Sequence, residues 1–316
     1  MFPSNWLTAA SQRLAGKIQH TPLMYDAARD LHIKWENRQK TGSFKARGAL
    51  NKVLTLEDWE REMGIVTASA GNHGQGVALA GQMLETPVKV FVPDDAPAVK
   101  VDAIRALGAE VESIPGGYAK AEEAALFYVK RNDATWVSPY NDGHVIAGQG
   151  TVAQEILRDQ PTAAEMTWLV PVSGGGLLAG ISSVLREQAQ FQGRIVGVQV
   201  ANQAYMHGLF YRNTQDDVAD LPTLADGLAG AVEKGSITVP LIRKNVDEIL
   251  LVSEDEVAQA VAFAWREYGE RIESSGAVGL AAVLSGKVSA QTSMIVVSGG
   301  NIQPEVHAEI LARHEK

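Results

Sequence analysis

The chain has 316 residues, of which 46% are hydrophobic and 21% charged, with a formal net charge of −9. That is too apolar for a disordered polymer, long enough for about two domains, and too acidic for nucleic acid to be the main partner. With no cysteine, disulfides, thiolate zinc sites, iron–sulfur clusters and a cysteine nucleophile are excluded. Apolar runs such as LLAGISSVL at 177–185 fall short of the roughly 20 residues a bilayer span needs. The N-terminal stretch MFPSNWLTAASQRL lacks the basic and apolar blocks of a secretory signal. A cytoplasmic protein without a membrane partner is expected.

In chain order, short apolar runs predict strands at 64–70, 87–93, 109–115, 134–139, 166–172, 194–200, 248–253 and 293–298. Between them lie amphipathic helical patterns, among them 99–108 and 120–131. Ser253 and Glu256 stand at capping-box spacing and start a helix over 253–269. The polar stretch 213–227 is the longest predicted loop. Strands that are apolar throughout and alternate with helices form parallel sheets covered on both faces, so the expected fold class is α/β.

Four segments carry chemistry. In QKTGSFKARGAL (39–50), Lys45 stands among small residues at the start of a helical pattern; a desolvated lysine there suits Schiff-base chemistry, and the plain alternative is a surface lysine. In TASAGNHGQGVALA (67–80), a strand runs into Gly71, Asn72, His73 and Gly74 and then a helix. Backbone N–H groups at such a turn seat a carboxylate or phosphate. In LVPVSGGGLLAG (169–180), Ser173 and three glycines link strand to helix, a phosphate cradle without the lysine of a Walker loop or the spacing of the dinucleotide fingerprint. In SMIVVSGGN (293–301), a strand meets Ser298 and two glycines. Ligands of open α/β sheets bind at strand carboxyl ends, and a reactive lysine beside a phosphate cradle points to pyridoxal 5'-phosphate.

KTGSFKARGA, SAGNHGQG, SGGGLLAG and SGGN, in this order, resemble the fold-type II pyridoxal-phosphate enzymes related to threonine dehydratase and serine racemase. HVIAGQGTVAQEIL (144–157), TLADGLAG (223–230) and ESSGAVGLAAVL (273–284) extend the likeness from about Thr21 to Asn301. The resemblance implies two parallel-sheet α/β domains, a large one (1–50 with 143–316) into which a smaller one (51–142) is inserted. It implies that Lys45 binds the cofactor aldehyde covalently, that Phe44 packs on the ring and that Asn72 binds its 3-hydroxyl. Gly174, Gly175, Gly176 and Leu177 would hold the phosphate, and Ser298 would face the pyridine nitrogen. Ser69, Asn72 and His73 would receive the substrate carboxylate.

The activity so implied is elimination of water from L-threonine or L-serine, giving a 2-oxo acid and ammonia, with freed Lys45 as base and the cofactor phosphate as acid for the leaving hydroxyl. A hydroxyl opposite the pyridine nitrogen weakens the ring as an electron sink and favours prompt loss of a β-substituent. Relatives that racemise serine carry a second serine where this chain has Ala70, which has no proton to give. Some relatives hold a divalent cation after the strand matching 194–200; Gln199 and Tyr205 stand there, both poor ligands for such an ion, so no metal is expected. The chain ends about fifteen residues past Asn301, so the regulatory domain of biosynthetic threonine dehydratases is expected to be absent. Ser274 replaces a proline usual in relatives. Alternatives are a lyase for 3-hydroxyaspartate (with Arg47 as one possible cation for its side chain) or for a phenylserine, a serine racemase, replacement chemistry like that of cysteine synthase, or a carrier or sensor without turnover. Relatives are commonly dimers or tetramers, and a homo-oligomer acting on a small amino acid is expected.

Overall fold

The computed structural model describes residues 3–288 and 292–314; the first two residues of the stretch read for a signal sequence lie outside them. The chain opens with α1 (Ser4–Leu14), the strands β1 (Leu23–Asp26) and β2 (Leu31–Trp35), and the helices α2 (Lys45–Val53) and α3 (Asp58–Glu62). Next come β3 (Ile65–Ala68), α4 (Asn72–Leu84), β4 (Val88–Pro93), α5 (Ala98–Ala106), β5 (Glu110–Ile114), α6 (Tyr118–Asn132) and β6 (Thr135–Trp136). Helix α7 (Gly143–Asp159) precedes β7 (Thr167–Pro171), α8 (Gly176–Glu187), β8 (Arg194–Val200) and α9 (Tyr205–Arg212). The chain closes with α10 (Thr238–Asn245), β9 (Glu248–Val252), α11 (Glu254–Tyr268), α12 (Ser274–Leu284), β10 (Ser293–Val297) and α13 (Pro304–Arg313). All eight predicted strands are present, within one to three residues at most ends.

Two compact units divide the chain: Met1–Ile18 with Lys45–Gln149, and Gln19–Phe44 with Gly150–Lys316. The first is built on a parallel four-stranded sheet in the order β5-β4-β3-β6. Successive side chains of a strand point to opposite faces. Accordingly Ile65, Val90 and Val92 join one core with α2 and α4, while Val66, Ala68 and Phe91 join another with α6. Burial on both faces is why these strands read as apolar throughout.

The second unit carries a six-stranded sheet, β1-β2-β10-β7-β8-β9, parallel except for the edge pair β1–β2. Ile33, Leu169, Val196, Val198 and Ile295 pack on α11 and α12 in one core. The β1–β2 hairpin was not among the predicted strands. The reason is Lys34 in LHIKW: its side chain is fully buried, with Nζ donating to Glu155 Oε2 at 2.8 Å and to Thr21 O at 2.8 Å. A charge can be interior when it is paired and hydrogen-bonded, and nothing in the pattern of a single strand announces the partner. Where the sequence predicts a helix starting at Ser253, the hydroxyl accepts from Glu256 N and the Glu256 carboxylate accepts from Ser253 N. Among the described residues no helix is long and apolar enough to cross a membrane.

Candidate active site

In the first unit β3 and β6 are adjacent and parallel, so the segments that follow them leave the sheet at the same end. After β3 come Ser69, Ala70 and Gly71, and α4 begins at Asn72. Gly71 caps this helix with no side-chain hydrogen bond, and its own N–H donates to Ser69 Oγ at 3.2 Å. The first N–H groups of a helix have no intrahelical acceptor, and the helix dipole adds partial positive charge there. Close packing makes the turn possible: a Cβ on Gly74 would lie 2.2 Å from Ser69 O. One on Gly76 would lie 3.1 Å from the carbonyl carbon of Lys45, which opens α2.

After β6, two carbonyls two residues apart receive the predicted site residues. Lys45 Nζ donates to Pro139 O at 2.9 Å. His73 Nε2 lies 2.9 Å from Val137 O, which also accepts from Thr67 Oγ1 at 3.0 Å. A carbonyl only accepts, so the His73 proton is on Nε2. Its buried Nδ1 has no hydrogen-bond partner, which an uncharged ring tolerates better than a cation would. Burial first, then the nearby Lys45 charge, push His73 down to about 3, against the Val137 bond that raises it. Lys45, Ser69, Asn72 and His73 are thus brought together in one unit, with Lys45, Ser69 and Asn72 half-buried and His73 buried. The ring of His73 is committed to Val137, which leaves its backbone N–H as the group it can offer an anion. Arg47 is fully buried in α2.

In the second unit β7 and β10 are adjacent and parallel, so the turns after them likewise share a sheet end. Gly174, Gly175, Gly176 and Leu177, all buried, lead from β7 into α8. Gly175 is the helix N-cap at φ +91°, and no side chain caps it. Its Cβ position falls 2.5 Å from Ile242 Cδ1, so only glycine fits both the conformation and the space. Thr238 Oγ1 donates to Gly174 O at 2.6 Å and lies 2.8 Å from Ser236 Oγ, holding the turn from outside; sequence reasoning missed both residues, since their motif signal is nil. After β10, Ser298 is 3% exposed. Its carbonyl accepts from Phe44 N at 3.0 Å, and the next residue, Gly299, bridges to Ser43. One peptide bond then separates Phe44 from Lys45.

Taken unit by unit, these residues have the chemistry that a phosphorylated aldehyde would use. An uncapped helix N-terminus reached through a glycine in the left-handed region presents backbone donors to a phosphate, and Lys45 supplies a primary amine. Ser298 supplies a neutral hydroxyl at a strand end. Among the described residues no group of three or more His, Cys, Asp or Glu side chains is placed to hold a metal ion. Gln199, where relatives were read as carrying a cation ligand, is buried and its Oε1 accepts from His207 N at 2.9 Å.

Comparison with known proteins agrees with this donor set. Residues 15–299 match the model of the family described as pyridoxal-phosphate dependent enzyme. An L-threonine ammonia-lyase of Thermotoga maritima is 41% identical over 300 residues, covering 93% of this chain and 74% of that protein. A serine racemase of Dictyostelium discoideum is 33% identical over 314 residues, covering 96% of this chain and 95% of that protein. The structure of maize serine racemase superposes with a TM-score of 0.90 at 30% identity, covering 98% of this chain and 97% of that one. The chain belongs to the pyridoxal-phosphate dependent enzyme family, with the α/β fold of its fold-type II members.

Proposed function

We propose, from that family membership as premise, that the chain removes water from L-threonine and L-serine to give a 2-oxo acid and ammonia. The observation that carries the reading is the 41% identity to an L-threonine ammonia-lyase across 93% of the chain. Pyridoxal phosphate, when bound, would supply an electron sink for the substrate α-carbon and an acid for the leaving hydroxyl. Lys45 holds the cofactor covalently, and its amine, once free, takes the α-proton as general base. Gly174, Gly175, Gly176 and Leu177 would seat the phosphate on backbone N–H groups, with Ser298 toward the ring nitrogen, Phe44 on the ring and Asn72 at its 3-hydroxyl. Ser69, Asn72 and the His73 backbone receive the substrate carboxylate at the start of α4. Ala70 offers no proton on the opposite face, which disfavours racemisation. The protein works in this reading as a homo-oligomer in the cytoplasm.

The test is 2-oxo acid release by the purified, cofactor-loaded protein from L-threonine, L-serine, their D-forms and threo-3-hydroxyaspartate. Release of 2-oxobutyrate from L-threonine is expected to dominate. Lys45→Ala should lose the visible band of the lysine-bound cofactor, and kcat should fall by about 10²–10⁴-fold, the usual contribution of a positioned base. A loaded protein that releases nothing from L-threonine or L-serine refutes the substrate assignment, and a kcat in Lys45→Ala close to that of wild type refutes the role of the lysine.

A further inference from the structure

Between α9 and α10 the chain runs for 25 residues (213–237) with no helix or strand beyond the single turn Asp226–Leu228. A segment of this length without regular structure needs other anchors for its backbone. Asn202 holds Pro222 O and Leu221 N, and Glu254 holds Leu224 N; two glutamines join parts of the loop that lie further apart. Gln203 is 3% exposed; its Nε2 donates to Asp220 Oδ1 and to Leu221 O, both at 2.6 Å, and its Oε1 accepts from Gly230 N at 3.0 Å. One carboxamide thereby joins the two ends of the stretch 220–230. Gln215 forms a two-way pair with Val232, donating to its O at 2.7 Å and accepting from its N at 2.9 Å.

Between the points held by Gln203 lies Gly227, whose Cβ position would be 2.9 Å from Ser275 Oγ on the first turn of α12. The next residue of that turn, Gly276, has a Cβ position 2.6 Å from Gly299 O and 3.3 Å from Ser298 N. Loop, helix start and the end of β10 are therefore packed closely in turn: Gly227 against the Ser275 side chain, and Gly276 against the backbone of Ser298 and Gly299. At that distance a displaced loop removes the support on which the α12 N-terminus rests.

We infer that Gln203 is a positioning residue for the reaction: its carboxamide clamps the loop 220–230 and, through Gly227 and the first turn of α12, sets the place of Ser298. The inference rests on the reading of Ser298 as a cofactor contact.

The experiment compares wild-type, Gln203→Glu, Gln203→Ala and Gln215→Ala holoenzymes by hydrogen exchange and steady-state kinetics on L-threonine. Gln203→Glu keeps the side-chain shape while setting a carboxylate against Asp220, so it separates loss of the clamp from loss of packing. Expected are exchange across 214–232 at least about tenfold faster in both Gln203 variants, unchanged exchange in α11, and a kcat about tenfold lower with KM within about threefold, since a misplacement near 1 Å costs up to about 10²-fold. Gln215→Ala should reproduce the faster exchange. Unaltered exchange in Gln203→Glu overturns the clamp, and fast exchange with wild-type kcat overturns the positioning role. Should wild type not use L-threonine, the substrate reading fails by itself. The variants are then judged by exchange and by the position of the visible cofactor band, a band identical to wild type counting against the proposal.

Discussion

His73 shows what a single position can and cannot disclose. Its place after SAGN marked it as a ligand contact, while its partner, the Val137 carbonyl, lies 64 residues away in a segment legible only as a strand. Burial and the neighbouring Lys45 charge keep the ring neutral, with its pKa pushed down to about 3 against 6.5 for an ordinary histidine. Between those two values the unfolded chain binds more protons than the folded one at this position, so stability is lost as pH falls below about 6.5 and the loss continues toward 3. One pH unit is worth about 1.4 kcal/mol, so from pH 7 to 4.5 the ring accounts for roughly 2–3 kcal/mol. Urea unfolding of the cofactor-free protein at both pH values should therefore show wild type losing about 2 kcal/mol more than His73→Gln. Equal losses would mean the ring accepts its proton without unfolding. Lys45 was legible for a different reason. Alone it reads equally as a surface lysine; the glycine-rich segments elsewhere in the chain single it out, and its acceptor, Pro139 O, was not visible in the sequence.

At the scale of elements, parallel strands were easy to read because both faces are covered, whereas β2 hid behind Lys34 and the clamped loop 213–237 showed only its polarity. The turn into α8 lies between these extremes: three glycines predicted a cradle, but which of them is irreplaceable came from geometry. Gly174 and Gly176 keep negative φ while Gly175 sits at +91°, with Ile242 Cδ1 2.5 Å and Met206 Cε 3.1 Å from a Cβ placed there. Alanine at 175 must bear a left-handed backbone, a cost of about 1–3 kcal/mol, and displace Ile242 as well. The lower-energy escape is to rotate the peptide planes that aim the N–H groups at the phosphate. Gly175→Ala is thus expected to weaken cofactor binding by about tenfold or more, on the scale of 1.4 kcal/mol per decade, and to lower stability in urea by about 1–3 kcal/mol. A cofactor titration followed by the visible band checks the first, and binding at wild-type strength would show that the phosphate does not depend on this turn.

For the whole molecule, alternating strand and helix patterns with no cysteine and no spanning segment led to the α/β class without any motif, because layer architecture follows from which faces must be buried. The partition of the chain into units did not follow, since Phe44 and Lys45 are neighbours in sequence yet belong to different ones, and no change of composition marks the crossing. The same holds for cofactor dependence, a property of the full chain. A ligand that binds the folded state alone stabilises it by RT ln(1 + [L]/Kd), about 2.7 kcal/mol at a hundredfold excess over Kd. For proteins somewhat smaller than this one, 1 kcal/mol moves Tm by about 2–4 °C, so saturating pyridoxal phosphate should raise the Tm of cofactor-free protein by about 5 °C. The rise should grow with the logarithm of cofactor concentration and not level off. In Lys45→Ala the phosphate seat persists while the covalent bond to the aldehyde is lost, so the rise should shrink without vanishing. In Gly175→Ala it should shrink as well, with the lysine-bound band retained at high cofactor concentration. If pyridoxal phosphate and inorganic phosphate shift Tm equally in wild type, the lysine adds nothing to binding, and the glycine turn alone holds the ligand.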